Sequence, residues 1–293
     1  MNSDDFNILS VLLKERSGLV LTPDKAYLLE SRLLPVARKW SKKSLSELAV
    51  ALRGRADPAL VKDVVEAMTT NESFFFRDIK PFDQFKGFVL PALLKARAAS
   101  RSIRIWSAAC SSGQEPYSLS IILSEMRTQL QGWRIEIIAT DLSTEILEKA
   151  QAGLYSQFEV QRGMPIQLLV KYFKQQGDRW QIDDAIRSMV QFRCFNLLED
   201  MATLGRFDVI FCRNVLIYFD QPTKAMVLDR LSRQMATDGY LYLGGAETVL
   251  GITSRFAPLA SERGVYGLAG AGPGSGGSAR KFTTETQRSQ SVA

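Results

Sequence analysis

Two hydrophobic periodicities divide the chain. From residue 4 to about 68, apolar side chains recur at helical spacing. Phe6, Ile8, Leu9, Leu12 and Leu13 run toward Gly18, a helix stop. Leu28, Leu29, Leu33 and Leu34 follow Thr22-Pro23-Asp24, a start signal with proline in the first turn. Ser44-Leu45-Ser46-Glu47 and Asp57-Pro58 open further short helices, so this part reads as a small all-helical unit. From Ile103 onward the pattern changes to short β-type runs, IRIWSA, IEIIAT, FDVIFC and YLYLGG, separated by stretches long enough for crossover helices. Right-handed crossovers make such a sheet largely parallel, with ligands bound beyond the carboxyl ends of its strands. Between Lys171 and Phe195 a Gly-Asp turn among short alternating runs predicts a small antiparallel insertion. The stretch after Ala269, rich in Gly and Ser, predicts a disordered tail.

The first β-type run ends in Ser111-Ser112-Gly113 and the second in Asp141, with a helical pattern through Tyr117, Leu119, Ile121, Ile122 and Met126 between them. A βαβ unit of this kind suits a nucleotide-like ligand, because backbone N–H groups at the helix start attract anions. A single glycine falls short of the GxGxxG fingerprint and gives a pyrophosphate poor support. Asp141 has two readings, an acceptor for both hydroxyls of a ribose or the N-cap of the helix beginning near Ser143-Thr144. Glu115, beside the turn, either meets a cationic or hydroxyl group of the ligand or complements the helix dipole. Asn214 and Asn196 each follow a β-type run and either cap or line the pocket. Asn71, Ser73 and Arg77 lie in the junction MTTNESFFFRD, where Phe74 to Phe76 are expected to bury the seam between the two parts.

Composition narrows the chemistry. The chain has 293 residues, 46% of them apolar, which is enough for an α/β domain plus a smaller one. No apolar run approaches the roughly 20 residues of a membrane-spanning helix. The first residues carry acids where a secretory signal has bases, so a cytoplasmic protein with no direct membrane insertion is expected. The three cysteines, Cys110, Cys194 and Cys212, show no CxxC spacing, so neither a metal site nor a disulfide framework is expected. Histidine is absent altogether, which removes Ser-His-Asp and Cys-His machinery and any histidine base. The net charge is +6, and between Ser31 and Ser46 the bases Arg32, Arg38, Lys39, Lys42 and Lys43 occur without an acid. That patch is either a solvated helix face or a surface for an acidic partner.

TTNESFFFRD, WSAACSSGQEPYSL, ATDLSTEILEKA, NLL and FDVIFCRNVLIYFDQ, in this order and spacing, resemble the CheR-type chemoreceptor glutamate methyltransferases, with GQEPYS and CRNVLIYF the most specific strings. The resemblance runs from about Asn2 to Ala269. It implies an α/β fold: a Rossmann-like, S-adenosylmethionine-dependent methyltransferase sheet with one reversed strand, an N-terminal all-helical domain and an inserted small antiparallel β-subdomain. The expected division is a helical domain over 1–70, a linker and first helix over 71–102, and the methyltransferase domain over 103–269. The insertion is expected at about 171–195 and the tail at 270–293. Carried over motif by motif, the cofactor contacts would be Asn71, Ser73, Arg77, Glu115, Asp141, Asn196, Leu197, Arg213 and Asn214.

The implied reaction is methyl transfer from S-adenosylmethionine, leaving S-adenosylhomocysteine, to glutamate carboxylates on the cytoplasmic helical region of methyl-accepting chemotaxis receptors. A carboxylate of pKa about 4.3 needs no base near neutral pH, in keeping with the missing histidine. Arg77 or Arg213 is expected to orient that carboxylate or the cofactor's own, and Tyr218 to line the transfer pocket, with Arg213 and Tyr218 the catalytic candidates. The basic patch would then face acidic receptor helices. Two departures from the family pattern stand out. Gly244-Gly245-Ala246-Glu247 replaces the GHSE of many members, and the turn from Gln175 to Trp180 is shorter than in members that bind a receptor pentapeptide, which argues against that tether. A monomer without nucleic-acid partners is expected. A nucleic-acid methyltransferase and a non-catalytic cofactor-sensing module of a chemosensory pathway are the alternatives.

Overall fold

A computed structural model describes residues 2–270, and the expected tail lies, apart from its first residue, outside the described residues. The helical unit consists of α1 (Ser3–Ser17), α2 (Ala26–Lys39), α3 (Leu45–Ala51) and α4 (Pro58–Met68). Asn2 and Asp5 form a reciprocal capping box on α1, and Gly18 ends it in the left-handed conformation at φ 77°. Thr22-Pro23-Asp24 opens a single 3-10 turn before α2 rather than the helix itself. Leu9 and Leu13 of α1, Leu29 and Leu33 of α2, Leu48 of α3 and Val64 of α4 form one core, the i and i+4 positions that the apolar spacing marks.

The linker after α4 leads to α5 (Lys80–Gln84), a π-helical turn over Phe85–Val89 and α6 (Leu90–Ala96). Its phenylalanines divide their work. Phe75 is fully buried, edge-on to Tyr155 and Phe173 at centroid distances of 5.0 and 5.4 Å, and Phe76 packs on Phe82 at 5.5 Å. Phe74 stays half-buried, between the guanidinium groups of Arg77 and Arg162.

The main sheet is built from β1 (Ser102–Ala108), β2 (Arg134–Asp141), β6 (Val190–Cys194), β7 (Phe207–Cys212), β8 (Met235–Leu243), β9 (Phe256–Pro258) and β10 (Val265–Leu268), in the order β6-β2-β1-β7-β8-β10-β9. The first five run parallel, and β10 is reversed between β8 and β9. The chain winds outward from β1 through β2 to β6, then returns to β7. The switch point therefore lies between β1 and β7, where open α/β sheets place their ligand crevice. Between the strands come α7 (Gln114–Glu125), α8 (Thr144–Ala152), α9 (Gln157–Gln161), α10 (Ile166–Tyr172), α11 (Asp184–Arg187) and α12 (Gln221–Gln234).

The inserted sheet differs in extent from the expected 171–195. Its strands are β3 (Leu154–Ser156), β4 (Phe173–Gln176) and β5 (Arg179–Ile182), in the antiparallel order β3-β5-β4. The stretch VQFRC instead forms β6, the edge of the main sheet, parallel to β2. An edge strand covered on one face alternates like a hairpin strand, and β3 is too short to leave a period of its own. The β4–β5 turn is Gly177-Asp178, with Gly177 at φ 63°.

Gly163, after α9, fixes the linker against this inserted unit. It holds φ at 86°, and a Cβ there would lie 2.0 Å from the Phe75 carbonyl oxygen. Gly163→Ala therefore meets backbone strain of about 1–3 kcal/mol as well as an overlap with backbone that cannot swing aside. Thermal unfolding of this variant is expected at least about 5 °C below the parent, and an unchanged midpoint would contradict this packing.

Candidate functional site

The turn after β1 is built on left-handed backbone: Ala109 at φ 57°, Ser111 at 51° and Gly113 at 90°. Such conformations persist only where surrounding bonds impose them. Here Cys110 N–H donates to the Thr140 carbonyl at 2.9 Å, and Ser111 N–H donates to Asp141 Oδ2 at 2.8 Å. Gly113 precedes α7, and a Cβ on it would lie 3.1 Å from Ala150 and Tyr117. Pro116 falls in the first turn of α7, at its third position.

Asp141, at the end of β2, does not cap α8. Ser143 takes that role, accepting from Ile146 N–H. The Asp141 carboxylate accepts from Ser111 N–H and, through Oδ1, from Ser143 N–H at 3.0 Å, so it ties the ends of β1 and β2 together. Burial pushes its carboxyl above the ordinary range, against the lowering effect of the Ser143, Ser111 and Leu142 N–H groups.

Arg213, directly after β7, is 5% exposed. Its Nη1 donates to Glu115 Oε2 at 2.9 Å, and its Nη2 donates to Asp78 Oδ2 at 2.6 Å and to the Arg77 carbonyl at 2.9 Å. Glu115 Oε1 accepts from Ser107 Oγ at 2.8 Å. The charge of Glu115, expected to face the ligand, is thus balanced within the protein. Arg213 Nε is buried and has no hydrogen-bond partner among the described residues.

These groups line one cleft of about 1040 Å³, its open mouth included, together with Asn71, Ser73, Arg77, Asn196, Leu197, Asn214 and Tyr218. The structure thus brings every expected cofactor residue and both catalytic candidates to one place. Their engagements differ. Asn196 donates to the Arg16 carbonyl at 2.7 Å and accepts from Leu198 N–H, so its side chain already joins α1 to the loop after β6. Asn214 sits at φ 59° and does not cap α12, which starts on Asp220. Asn71 supplies its carbonyl to Ser111 Oγ at 2.9 Å. Arg77 donates to the Glu72 carbonyl at 3.0 Å and has no ion pair with a carboxylate among the described residues. Cys110 also lines the cleft, but burial pushes its thiol well up, so it is no nucleophile at neutral pH.

Sequence reasoning missed the contribution of the helical unit: Ser17, the last residue of α1, Leu19 just beyond it, and Met68 line the same cleft. Val20 N–H bonds the Tyr218 carbonyl at 3.0 Å and Lys14 pairs with Asp220 at 2.7 Å, which hold that wall in place. Nothing local in the sequence marks these long-range partners. Two members of the basic patch are engaged. Arg32 donates to the carbonyls of Met68 and Thr69 at 2.9 and 3.1 Å, and Lys39 pairs with Asp63 at 2.8 Å. Arg38, Lys42 and Lys43 have no ion pair among the described residues.

The donor set suits a ligand with vicinal hydroxyls for Asp141, an acceptor for Arg213 Nε, and an apolar surface to rest on Leu19, Leu142, Phe195 and Leu197. Comparison with known proteins points the same way. A sequence profile described as "CheR methyltransferase, SAM binding domain" matches residues 71–265, and one described as "CheR methyltransferase, all-alpha domain" matches residues 4–69. Chemotaxis protein methyltransferase 1 of Pseudomonas aeruginosa is 43% identical over 265 residues, covering 89% of this chain and 96% of that protein. Chemotaxis protein methyltransferase Cher2 of Pseudomonas putida is 40% identical over the same coverage. A chemotaxis protein methyltransferase of Borreliella burgdorferi is 32% identical over 256 residues, 86% of this chain and 90% of that protein.

Hydroxyl donors favour ionised Asp141, so a ligand held this way lowers its pKa on binding. The affinity is then greatest above the raised pKa of the free carboxyl and falls as pH drops through it. Calorimetry with S-adenosylhomocysteine is expected to show that fall. Asp141→Asn should bind roughly 10- to 100-fold more weakly, with a flatter pH profile, as expected for the loss of a charged acceptor. Equal affinity in the variant would remove Asp141 from the site.

Proposed function

The chain belongs to the CheR methyltransferase family, a methyltransferase with an S-adenosylmethionine-binding domain, and from that premise we propose that it esterifies glutamate side chains of methyl-accepting chemotaxis receptors. S-adenosylmethionine supplies an electrophilic methyl group on a sulfonium. The protein's own residues bind, orient and exclude water. In this reading Asp141 receives the ribose hydroxyls, Leu142, Phe195 and Leu197 flank the adenine, and Arg213 Nε and Asn214 meet the amino-acid end. Ser73, Asn71 and Glu115 complete the wall around it.

The observation that carries a carboxylate as acceptor is the state of the charged groups in the cleft. Glu115 is paired with Arg213 and Glu72 with Arg162, Asp141 is occupied by backbone N–H groups, and Arg77 is the lining cation without a carboxylate partner among the described residues. An acceptor that must lose a proton would find no free base there. A carboxylate needs none at neutral pH and needs an orienting cation. Arg213, a catalytic candidate with both terminal nitrogens engaged, serves in this proposal as a fixed support, and the orienting task falls to Arg77. Tyr218 closes the transfer pocket against water.

Incubation with methyl-labelled cofactor and receptor-containing membranes is expected to place base-labile label on the receptors. Cofactor binding without transfer would favour a sensing module, and label in nucleic acid a different acceptor. Arg77→Ala should lower kcat/KM by roughly 100-fold, the scale of a misoriented reactant, with little change in the unfolding midpoint. Full activity in that variant would return the orienting role to another group.

The partner-facing part of the basic patch is, in this proposal, Arg38, Lys42 and Lys43. Replacing all three by glutamine should raise KM for receptors and flatten a fall of rate with salt, since attraction between exposed charges is screened over about 8–10 Å at physiological ionic strength. Rates on intact receptors that ignore salt would contradict a role for the patch.

A further inference from the structure

The segment Gly244-Gly245-Ala246-Glu247, which departs from the family's usual wording, carries a carboxylate that none of the expected roles uses. Glu247 is half-buried and points back at the ends of two adjacent parallel strands. Its Oε2 accepts from Gly244 N–H at 2.6 Å, just beyond β8, and from Asn214 N–H at 2.8 Å, two residues beyond β7. Its Oε1 accepts from Ile217 N–H at 3.2 Å. A tight turn, Glu247 N–H to the Gly244 carbonyl at 2.9 Å, presents the side chain to these donors.

We infer that Glu247 is a positioning residue for methyl transfer, holding the segment from Arg213 to Tyr218 in the shape that lines the cleft. Three arguments converge on it. Asn214 is a non-glycine residue at φ 59°, a conformation that needs an imposed bond to persist, and Glu247 makes that bond. The bonds to Asn214 and Ile217 bracket the segment between the two, so one carboxylate sets both its entry and its turn toward Tyr218. The approach is close enough to exclude any side chain at Gly244, where a Cβ would lie 2.7 Å from Glu247 Oε2 and from Asn214 Nδ2. Hydrogen bonds from backbone N–H groups to a carboxylate are stronger than those between neutral groups, which suits Glu247 to holding a backbone segment in place.

The inference rests on the proposed function, because the segment it positions holds Arg213, Asn214 and Tyr218. The test uses the full chain with Glu247→Ala, Glu247→Gln and Gly244→Ala. kcat and KM are measured on receptor membranes well below each variant's unfolding midpoint, and S-adenosylhomocysteine affinity by calorimetry. Glu247→Ala is expected to lose roughly 10- to 100-fold in kcat with receptor KM little changed, the usual effect of removing an outer support from a reacting group. Glu247→Gln keeps one oxygen for the Gly244 and Asn214 donors and should recover to within about 3-fold of the parent. Gly244→Ala, which keeps the glutamate but crowds its carboxylate away from the Gly244 and Asn214 donors, should follow Glu247→Ala and covers the case in which that variant does not fold. Parental kcat in Glu247→Ala or Gly244→Ala, or losses in alanine and glutamine variants that merely track the unfolding midpoints, would overturn the inference. If the parent chain itself transfers no methyl group, the proposed function fails, and affinity alone decides. A roughly 10-fold weaker S-adenosylhomocysteine complex in Glu247→Ala then supports the clamp, and an unchanged one overturns it.

Discussion

Burying the Arg213 guanidinium is the constraint around which this molecule is arranged. A charge at 5% exposure is tolerable only with partners in place, since removing one side of such a pair costs about 3–5 kcal/mol. Its partners come from two other parts of the chain: Glu115 from the first turn of α7, and Asp78 together with the Arg77 carbonyl from the linker. The end of β7, the start of α7 and the seam between the helical and α/β units must therefore meet at one point. The left-handed residues Phe76, Asp78 and Ile79 fall in that same linker, with φ of 51°, 67° and 47°. The backbone strain collects where the ion pair can hold it.

That geometry gives the cleft its chemical character. Charges that would otherwise repel an anionic acceptor are already satisfied, Glu115 by Arg213 and Ser107, and Asp141 by backbone N–H groups from two turns. What remains includes the buried, unpartnered Nε–H of Arg213, the lining guanidinium of Arg77 and an apolar wall. A chain without histidine loses nothing by this, because its proposed reaction moves no proton on the acceptor.

The fold was legible in the sequence wherever a period ran long enough to repeat. The runs at Ile103, Ile135, Phe207 and Tyr240 became β1, β2, β7 and β8, and the leucines at helical spacing became the core of the helical unit. β3, with three residues, had no period to show, and β6 was read as part of the insertion because an edge strand and a hairpin strand alternate alike. In the cleft, residue types at strand ends were enough to gather candidates. What each side chain does was not legible. Asn196 is bonded to the Arg16 carbonyl, some 180 positions away, and Arg32 and Lys39 of the basic patch brace neighbouring helices instead of standing free. Pairings between distant positions depend on the folded surfaces meeting, and no local window contains them.

The helical unit is more than an attachment carrying basic residues. Ser17 and Leu19 form part of the cleft wall, and Glu66 of α4 accepts from both Thr144 N–H and Thr144 Oγ1, at 2.8 and 2.9 Å, at the start of α8. The first turn of α8 directly follows Asp141, so a helix of one unit secures the loop that holds the other unit's buried carboxylate. Any displacement of α4 from α8 would open the wall formed by Leu19 and Met68 and loosen Asp141 together. The α2 face and the end of β2 are thus linked through α4, to whose last carbonyl, that of Met68, Arg32 is bonded. The chain that reads as two units along its length behaves, at the cleft, as a single construction.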